Sequence, residues 1–293
     1  MLRIALFLGT NIAILVVLSL TMSLFGIDGV LQDNGVDLDL NSLLFISAII
    51  GFTGSFISLL ISKWIAKRSM GVELVKESKN ETERWLLNTL EEISLKSGIK
   101  TPEFGIFNSQ QPNAFATGAS KNNSLVALST GLISHMNRDE IEAVIAHEVA
   151  HIKNGDMVTM TLIQGIINTF VIFFSRIIGH FVDRVIFKVQ RGHGPAYYIT
   201  SIIAQILLSI LASIIVMWFS RKREYAADLY ASKLVGSNKM ISALKTLSKK
   251  SPQALPDQMA AFGISGRKDK SYKSLFSSHP SIESRIESIL KNS

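Results

Sequence analysis

His147-Glu148-Val149-Ala150-His151 is the stretch on which the reading of this 293-residue chain turns. Two histidines four apart on a helix lie on one face, about one turn apart, with both rings pointing the same way. Neutral imidazole nitrogens so placed suit zinc. The glutamate directly after the first histidine can reach a water on that metal and take its proton. The pattern fixes only three positions, so taken alone it competes with an accidental histidine pair on a surface helix. The flanking residues do specify a helix. Asn137 and Glu140 form a capping box, and Asp139, Glu140 and Glu142 suit the positive end of the helix dipole. Ile141, Val144, Ile145, Val149 and Ile152 recur on one face, and Asn154-Gly155 stops the helix. Its charged residues, Arg138, Asp139, Glu140, Glu142 and Lys153, argue against a position inside the bilayer.

Outward from this helix, the composition is that of a membrane protein. The chain is 47% hydrophobic and only 18% charged, against about 25% charged in soluble proteins. Its mean hydropathy is positive. With no cysteine, disulfides and thiolate-ligated metals are excluded, so a zinc site has only His and carboxylates to draw on. The net charge of +7 comes with no nucleic-acid motif, and it suits anionic lipid and cytoplasmic anchoring instead.

Ile4–Phe25 is apolar and long enough to span a bilayer. No small-x-small cleavage site follows it and a second span comes soon, so it reads as retained. The loop Gly26–Asn41 carries Asp28, Asp33, Asp37 and Asp39 and no Lys or Arg. Ser42–Ser62 is the second span, and Lys63, Lys67 and Arg68 follow it. With Arg3 at the other end, both ends of this hairpin are expected in the cytoplasm. A second apolar pair comprises Met157–Ile178 and Tyr197–Ser220, followed by Arg221, Lys222 and Arg223. Their connection carries Arg176, Arg184, Lys188 and Arg191 against Asp183. An outside location would break the charge rule, so charge alone leaves open whether this pair crosses the membrane.

The remainder reads as soluble. A capping box at Asn80 and Glu83 opens a helix ending at Gly98. The β-like stretches Phe104–Asn108, Asn113–Thr117 and Ser124–Ser129 suggest a small antiparallel sheet. Towards the C-terminus, Gly263–Tyr272 is a basic loop and Ser281–Leu290 a short amphipathic helix. The expected fold is a mainly α membrane protein with four hydrophobic helices in two hairpins, 1–68 and 157–220. They are interleaved with the halves of one α+β domain, 69–156 and 221–293.

Two histidines do not complete a catalytic zinc site, which usually has three protein ligands and a water. Glu224 is the best candidate for the third, with Asp228 one turn on along the same helix face. Asp228 can accept from the ring N–H of a ligating histidine, His147 by preference, and fix its tautomer. An ordinary exposed Glu/Asp pair is the competing reading. His147 and Glu224 share a metal only if they lie on one side of the membrane, so residues between them cross twice or not at all. That side is the one carrying Arg3 and Lys67. His135, His180 and His193 lack ligand spacing.

Together with Asn113-Ala114-Phe115-Ala116-Thr117-Gly118, His279-Pro280-Ser281 followed by Arg285, and Pro256-Asp257-Gln258-Met259-Ala260-Ala261-Phe262, these motifs resemble the HtpX-type membrane zinc metalloproteases. These are bacterial relatives of the CAAX prenyl proteases in the gluzincin group, and the resemblance covers nearly the whole chain. It implies one Zn2+ per chain, held by His147, His151 and Glu224, with Glu148 as general base. It implies a role at the substrate or transition state for His279 and Arg285, and substrate-backbone binding by Asn113 and Ala114. It also implies a multi-pass protein of the bacterial inner membrane with a cytoplasmic active site. Such an endopeptidase acts on misfolded or damaged membrane proteins under stress, alongside other quality-control proteases. CAAX-type processing and a non-catalytic membrane adaptor are the alternatives.

Overall fold

The computed structural model describes residues 38–250 and 277–292. The expected first span Ile4–Phe25, the basic loop Gly263–Tyr272 and the Pro256–Phe262 motif lie outside the described residues. Helix α1 (Leu40–Ser69) is followed by strand β1 (Glu73–Leu74), helix α2 (Glu81–Ser97) and strands β2 (Glu103–Phe107), β3 (Ala114–Ser120) and β4 (Asn123–Ser129). Helices α3 (Thr130–His135), α4 (Arg138–Asn154) and α5 (Asp156–Phe181) come next, then a π-helical turn at Val182–Ile186. Helices α6 (Pro195–Val235), α7 (Ser237–Lys250) and α8 (Ile282–Lys291) complete the order.

Three helical stretches, Leu40–Ser69, Asp156–Ile186 and Pro195–Val235, are long and apolar enough to cross a membrane. The fourth expected hydrophobic helix is Ile4–Phe25. Asp39 caps α1 by accepting from the backbone of Asn41 and Ser42 at 3.0 and 3.1 Å. At its other end α1 outruns the apolar segment by two turns, because Lys63 and Lys67 find partners there: each donates to Glu103 at 2.6 Å.

The described chain forms two compact units. One comprises residues 38–57 and 161–214; the other comprises 58–160, 215–250 and 277–292. In the first, α1 and α5 pack backbone to backbone: a Cβ on Gly51 would fall 2.7 Å from the Thr169 nitrogen. Leu40, Leu44 and Phe173 close the same interface. The most apolar window of α6 is only 6% buried. Its outward residues include Ile203, Leu207, Ile210 and Leu211.

The second unit is built on a four-stranded sheet ordered β1-β2-β4-β3. The expected antiparallel sheet is corrected here to a mixed one. β1 with β2 and β3 with β4 are antiparallel, but β2 and β4 run parallel from Glu103 opposite Leu125 to Phe107 opposite Ser129. The reason lies in β4, buried at every position from Ser124 to Ser129. A strand covered on both faces takes a central place, which leaves β3 at the edge. Helices α2, α4, α7 and α8 supply the core, with Leu90, Ile93, Val144, Ile145, Val149, Leu244, Leu247 and Ile289 all buried. Glu140, whose side chain closes the capping box of α4, also accepts from Ser242 and Thr246 of α7 at 2.7 Å each. One carboxylate thus both caps the motif helix and docks it.

Candidate metal centre

Helix α4 carries His147, Glu148 and His151 into the interior, where His147 is fully buried and the other two nearly so. The face that buries Val144, Ile145 and Val149 against the core turns the two imidazoles towards α6. Their Nε2 atoms lie 3.1 Å apart. Glu224 of α6 meets both: Oε2 is 3.4 Å from His147 Nε2 and Oε1 is 3.3 Å from His151 Nε2. Both Glu224 oxygens are buried and accept no hydrogen bond within the described residues. A tetrahedral zinc with bonds of about 2.0–2.1 Å holds its ligand atoms about 3.3 Å apart. The two ring nitrogens are 3.1 Å apart, a different Glu224 oxygen approaches each of them, at 3.4 and 3.3 Å, and one ligand atom from each of the three residues lies within 4.8 Å of the others. Two imidazole nitrogens and a carboxylate with no hydrogen bond form a donor set that fits a divalent cation, and among the described residues it is the one such cluster.

Behind this cluster, each imidazole has its own carboxylate. Asp228 Oδ1 is 3.0 Å from His147 Nδ1, the partner expected for it. Asp156 Oδ2 is 2.6 Å from His151 Nδ1. With the Nδ1 of each ring turned to a carboxylate, the Nε2 lone pairs are aimed at a shared point. Asp156 was missed in the sequence, where it reads as a residue between the motif helix and the apolar segment Met157–Ile178. The available signal was the Gly155-Asp156 step. Gly155 adopts the left-handed conformation at φ 71 that caps α4, and the chain folds back so that α5 starts against His151.

Arg285 lies behind Asp228, fully buried, donating from Nε to Oδ2 at 2.7 Å and from Nη2 to Oδ1 at 2.6 Å. Its planar fork matches the carboxylate. His279 is buried, and its Nδ1 approaches Glu224 Oε2 to 2.9 Å without hydrogen-bond alignment. Asn113 directly precedes the edge strand β3. It is buried, with its N–H donating to Ser129 Oγ at 2.9 Å and its Oδ1 without a hydrogen-bond partner. Ala114 opens β3 itself and is fully buried. His135 turns to the Gly131 carbonyl at 2.7 Å, and His180 and His193 face each other at 3.2 Å.

Burial pushes the Glu148 carboxyl above the usual carboxylate range. Burial works against charge on His147, but Asp228 and Glu224 outweigh it and hold the ring above the ordinary imidazole value. The same contest at His151, decided by Glu224 and Asp156, raises that ring to about 9. The negative field that draws protons to these nitrogens draws a divalent cation to the same lone pairs. His279 is shifted the other way, downwards, by burial.

Residues 80–293 match the description of Peptidase family M48. The chain belongs to peptidase family M48. Among curated M48-type relatives, Protease HtpX of Thioalkalivibrio sulfidiphilus (strain HL-EbGR7) is 58% identical over 97% of this chain and 97% of its own length. Protease HtpX of Pseudoalteromonas atlantica (strain T6c / ATCC BAA-1087) is 58% identical over 99% of this chain and 100% of its own. The crystal structure of S. mikatae Ste24p shares the fold, with a TM-score of 0.61 at 19% identity over 94% of this chain and 67% of that one. This M48 chain is accordingly an HtpX-like membrane metalloprotease that shares a fold with Ste24p, and its family implies a metal.

Proposed function

We propose that the protein is a zinc-dependent endopeptidase of the bacterial inner membrane that cuts misfolded or damaged membrane proteins at the cytoplasmic face. The observation that carries this reading is the buried cluster of His147, His151 and Glu224, whose donor atoms, one from each residue, lie within 4.8 Å of one another. When bound there, zinc supplies a Lewis acid that polarises a peptide carbonyl and acidifies a water. Glu148, beside His147 on the same buried face, takes the proton of that water. Its raised proton affinity suits it to hold the proton and return it to the leaving amine. His279, at the rim of Glu224, is the donor for the developing oxyanion. Asp228 and Asp156 fix the two imidazole orientations. Arg285, with both arms on Asp228, acts by positioning that carboxylate rather than by touching substrate. Among the described residues β3 is an edge of the sheet, the side on which an extended substrate would add as a further strand, with Asn113 and Ala114 at its start.

A cytoplasmic location rests on the basic residues that close two spans, Lys67 and Arg68 on α1 and Arg221 and Lys222 on α6. The ligands come from either side of two candidate spans, an even number of crossings, which agrees with one shared face.

Glu148→Gln removes the base and keeps the ligands. The purified variant is expected to retain about one zinc per chain while cleavage of a membrane-protein substrate falls by roughly a thousandfold or more. Undiminished cleavage overturns the mechanism. Wild-type protein that cuts a prenylated C-terminal peptide faster than a misfolded membrane protein overturns the substrate assignment.

A further inference from the structure

Of the three tryptophans in the chain, Trp85 sits in α2 beneath Arg138, whose Cζ is 5.3 Å from the ring centroid. The other two occupy equivalent places on different spans. Trp64 on α1 and Trp218 on α6 are 63% and 51% exposed. Each carries a basic residue one turn on, Arg68 at 6.0 Å and Lys222 at 5.5 Å from the ring centroid. Lys63 adjoins Trp64, and further back from each Trp the exposed residues are apolar, with Ile57, Leu60 and Ile61 on α1 and Ile210, Leu211 and Ile215 on α6. After each come only basic charges, Lys67 and Arg68 in one case and Arg221, Lys222 and Arg223 in the other. An exposed indole between an apolar flank and a cation is the side chain of the membrane–water boundary.

Both tryptophans belong to the unit that carries the metal centre, and each is tied to a different part of the site. Glu224 follows Trp218 by six residues on one uninterrupted helix, about 9 Å along the axis at ~1.5 Å per residue. Trp64 is flanked by Lys63 and Lys67, both on Glu103 of β2, and Lys63 also donates to Asn123, the first residue of β4, at 2.8 Å. The indole on α6 therefore sets the height of a metal ligand, and the indole on α1 sets the height of the sheet whose far edge is β3.

We infer that the enzyme measures: Trp64 and Trp218 hold the metal centre at a fixed height over the bilayer, so that it selects bonds by distance from the membrane rather than by side-chain sequence. Resting on the proposed peptidase site, this assigns the substrate class as membrane-anchored polypeptides cut just outside a span. An extended chain rises about 3.3 Å per residue, so about three residues cover 9 Å, and with entry to the cleft the cuts fall about three to eight residues from the span end.

The test uses full-length protein in liposomes with substrates that carry one span followed by a uniform unstructured polar tract. In a second set the span end is displaced by insertions of six or twelve residues, and cut positions are mapped by mass spectrometry. The expected cuts cluster near the span end and move with it. The double variant Trp64→Ala/Trp218→Ala spreads them at least twofold wider, while cleavage of soluble β-casein stays within twofold of wild type. Trp64→Tyr/Trp218→Tyr, which keeps interfacial rings, restores the narrow cluster. Cuts that stay at one sequence after displacement, or a cluster unchanged in the alanine variant, overturn the inference. So does a tyrosine variant as broad as the alanine one. Wild-type protein that cuts none of the anchored substrates overturns the reading of the site itself and the measuring role with it.

Discussion

The two halves of α6 are inside-out relative to one another. From Tyr197 to Ser220 the helix shows Ile203, Leu207, Ile210 and Leu211 outward, and its most apolar window is 6% buried. A few residues later Glu224 and Asp228 are wholly buried. One continuous helix thus exposes its oil and hides its charge. Lipid accepts the first half because apolar side chains lose nothing there. The second half is tolerated because each of its buried carboxylates has cationic or imidazole partners within reach. Asp228 has both arms of Arg285, and Glu224 has two imidazoles at 3.3–3.4 Å. The lesson is that burial means different things on the two sides of Trp218: outside the bilayer, it marks the residues that act.

The sharpest way to break the contrast is to strand a charge in the second half. Arg285→Ala leaves buried Asp228 with only the His147 ring beside it, and is expected to cost about 3–5 kcal/mol of stability. Thermal unfolding of Glu148→Gln with and without Arg285→Ala would measure this free of self-cleavage. A shift in Tm of under a degree would show the pair to be idle. A smaller loss is expected at the other carboxylate. Asp156→Asn keeps the shape but removes the charge facing His151 Nδ1, and should weaken zinc binding about 10–100-fold. Competition with a chelator reads that affinity directly. The smallest effect belongs to the apolar half. Leu207→Ala, on an outward face, should change stability by under about 0.5 kcal/mol in micelles. A loss of 2 kcal/mol or more would mean that this face is packed against protein.

What was legible in the sequence follows from how local each signal is. The motif helix announced itself through Asn137, Glu140 and the spacing of its apolar residues, and the structure has the capping box and the αL stop at Gly155. The Glu224/Asp228 pair was readable because both residues share one helix face. Asp156 was not, since its role depends on a backbone reversal at Gly155 and not on any spacing. The parallel pairing of β2 with β4 was equally hidden. Strand order is settled by which strand is covered on both faces, and the apolar run Leu125–Leu128 fits a buried strand of either direction. Arg285 looked like a surface or substrate-facing charge because no pattern in a short helix reveals that its guanidinium points inward. The extension of α1 past Ser62 was invisible for a similar reason: Lys63 and Lys67 are held by Glu103, 40 and 36 residues away.

The reversal at Gly155 has a mechanical consequence. Asp156 is at once the partner of a histidine in the metal cluster and the first residue of a candidate membrane helix. No linker separates the two roles, so nothing absorbs a tilt of α5 before it reaches His151. The first turn of α5 is therefore joined to the His151 imidazole through a single residue, Asp156.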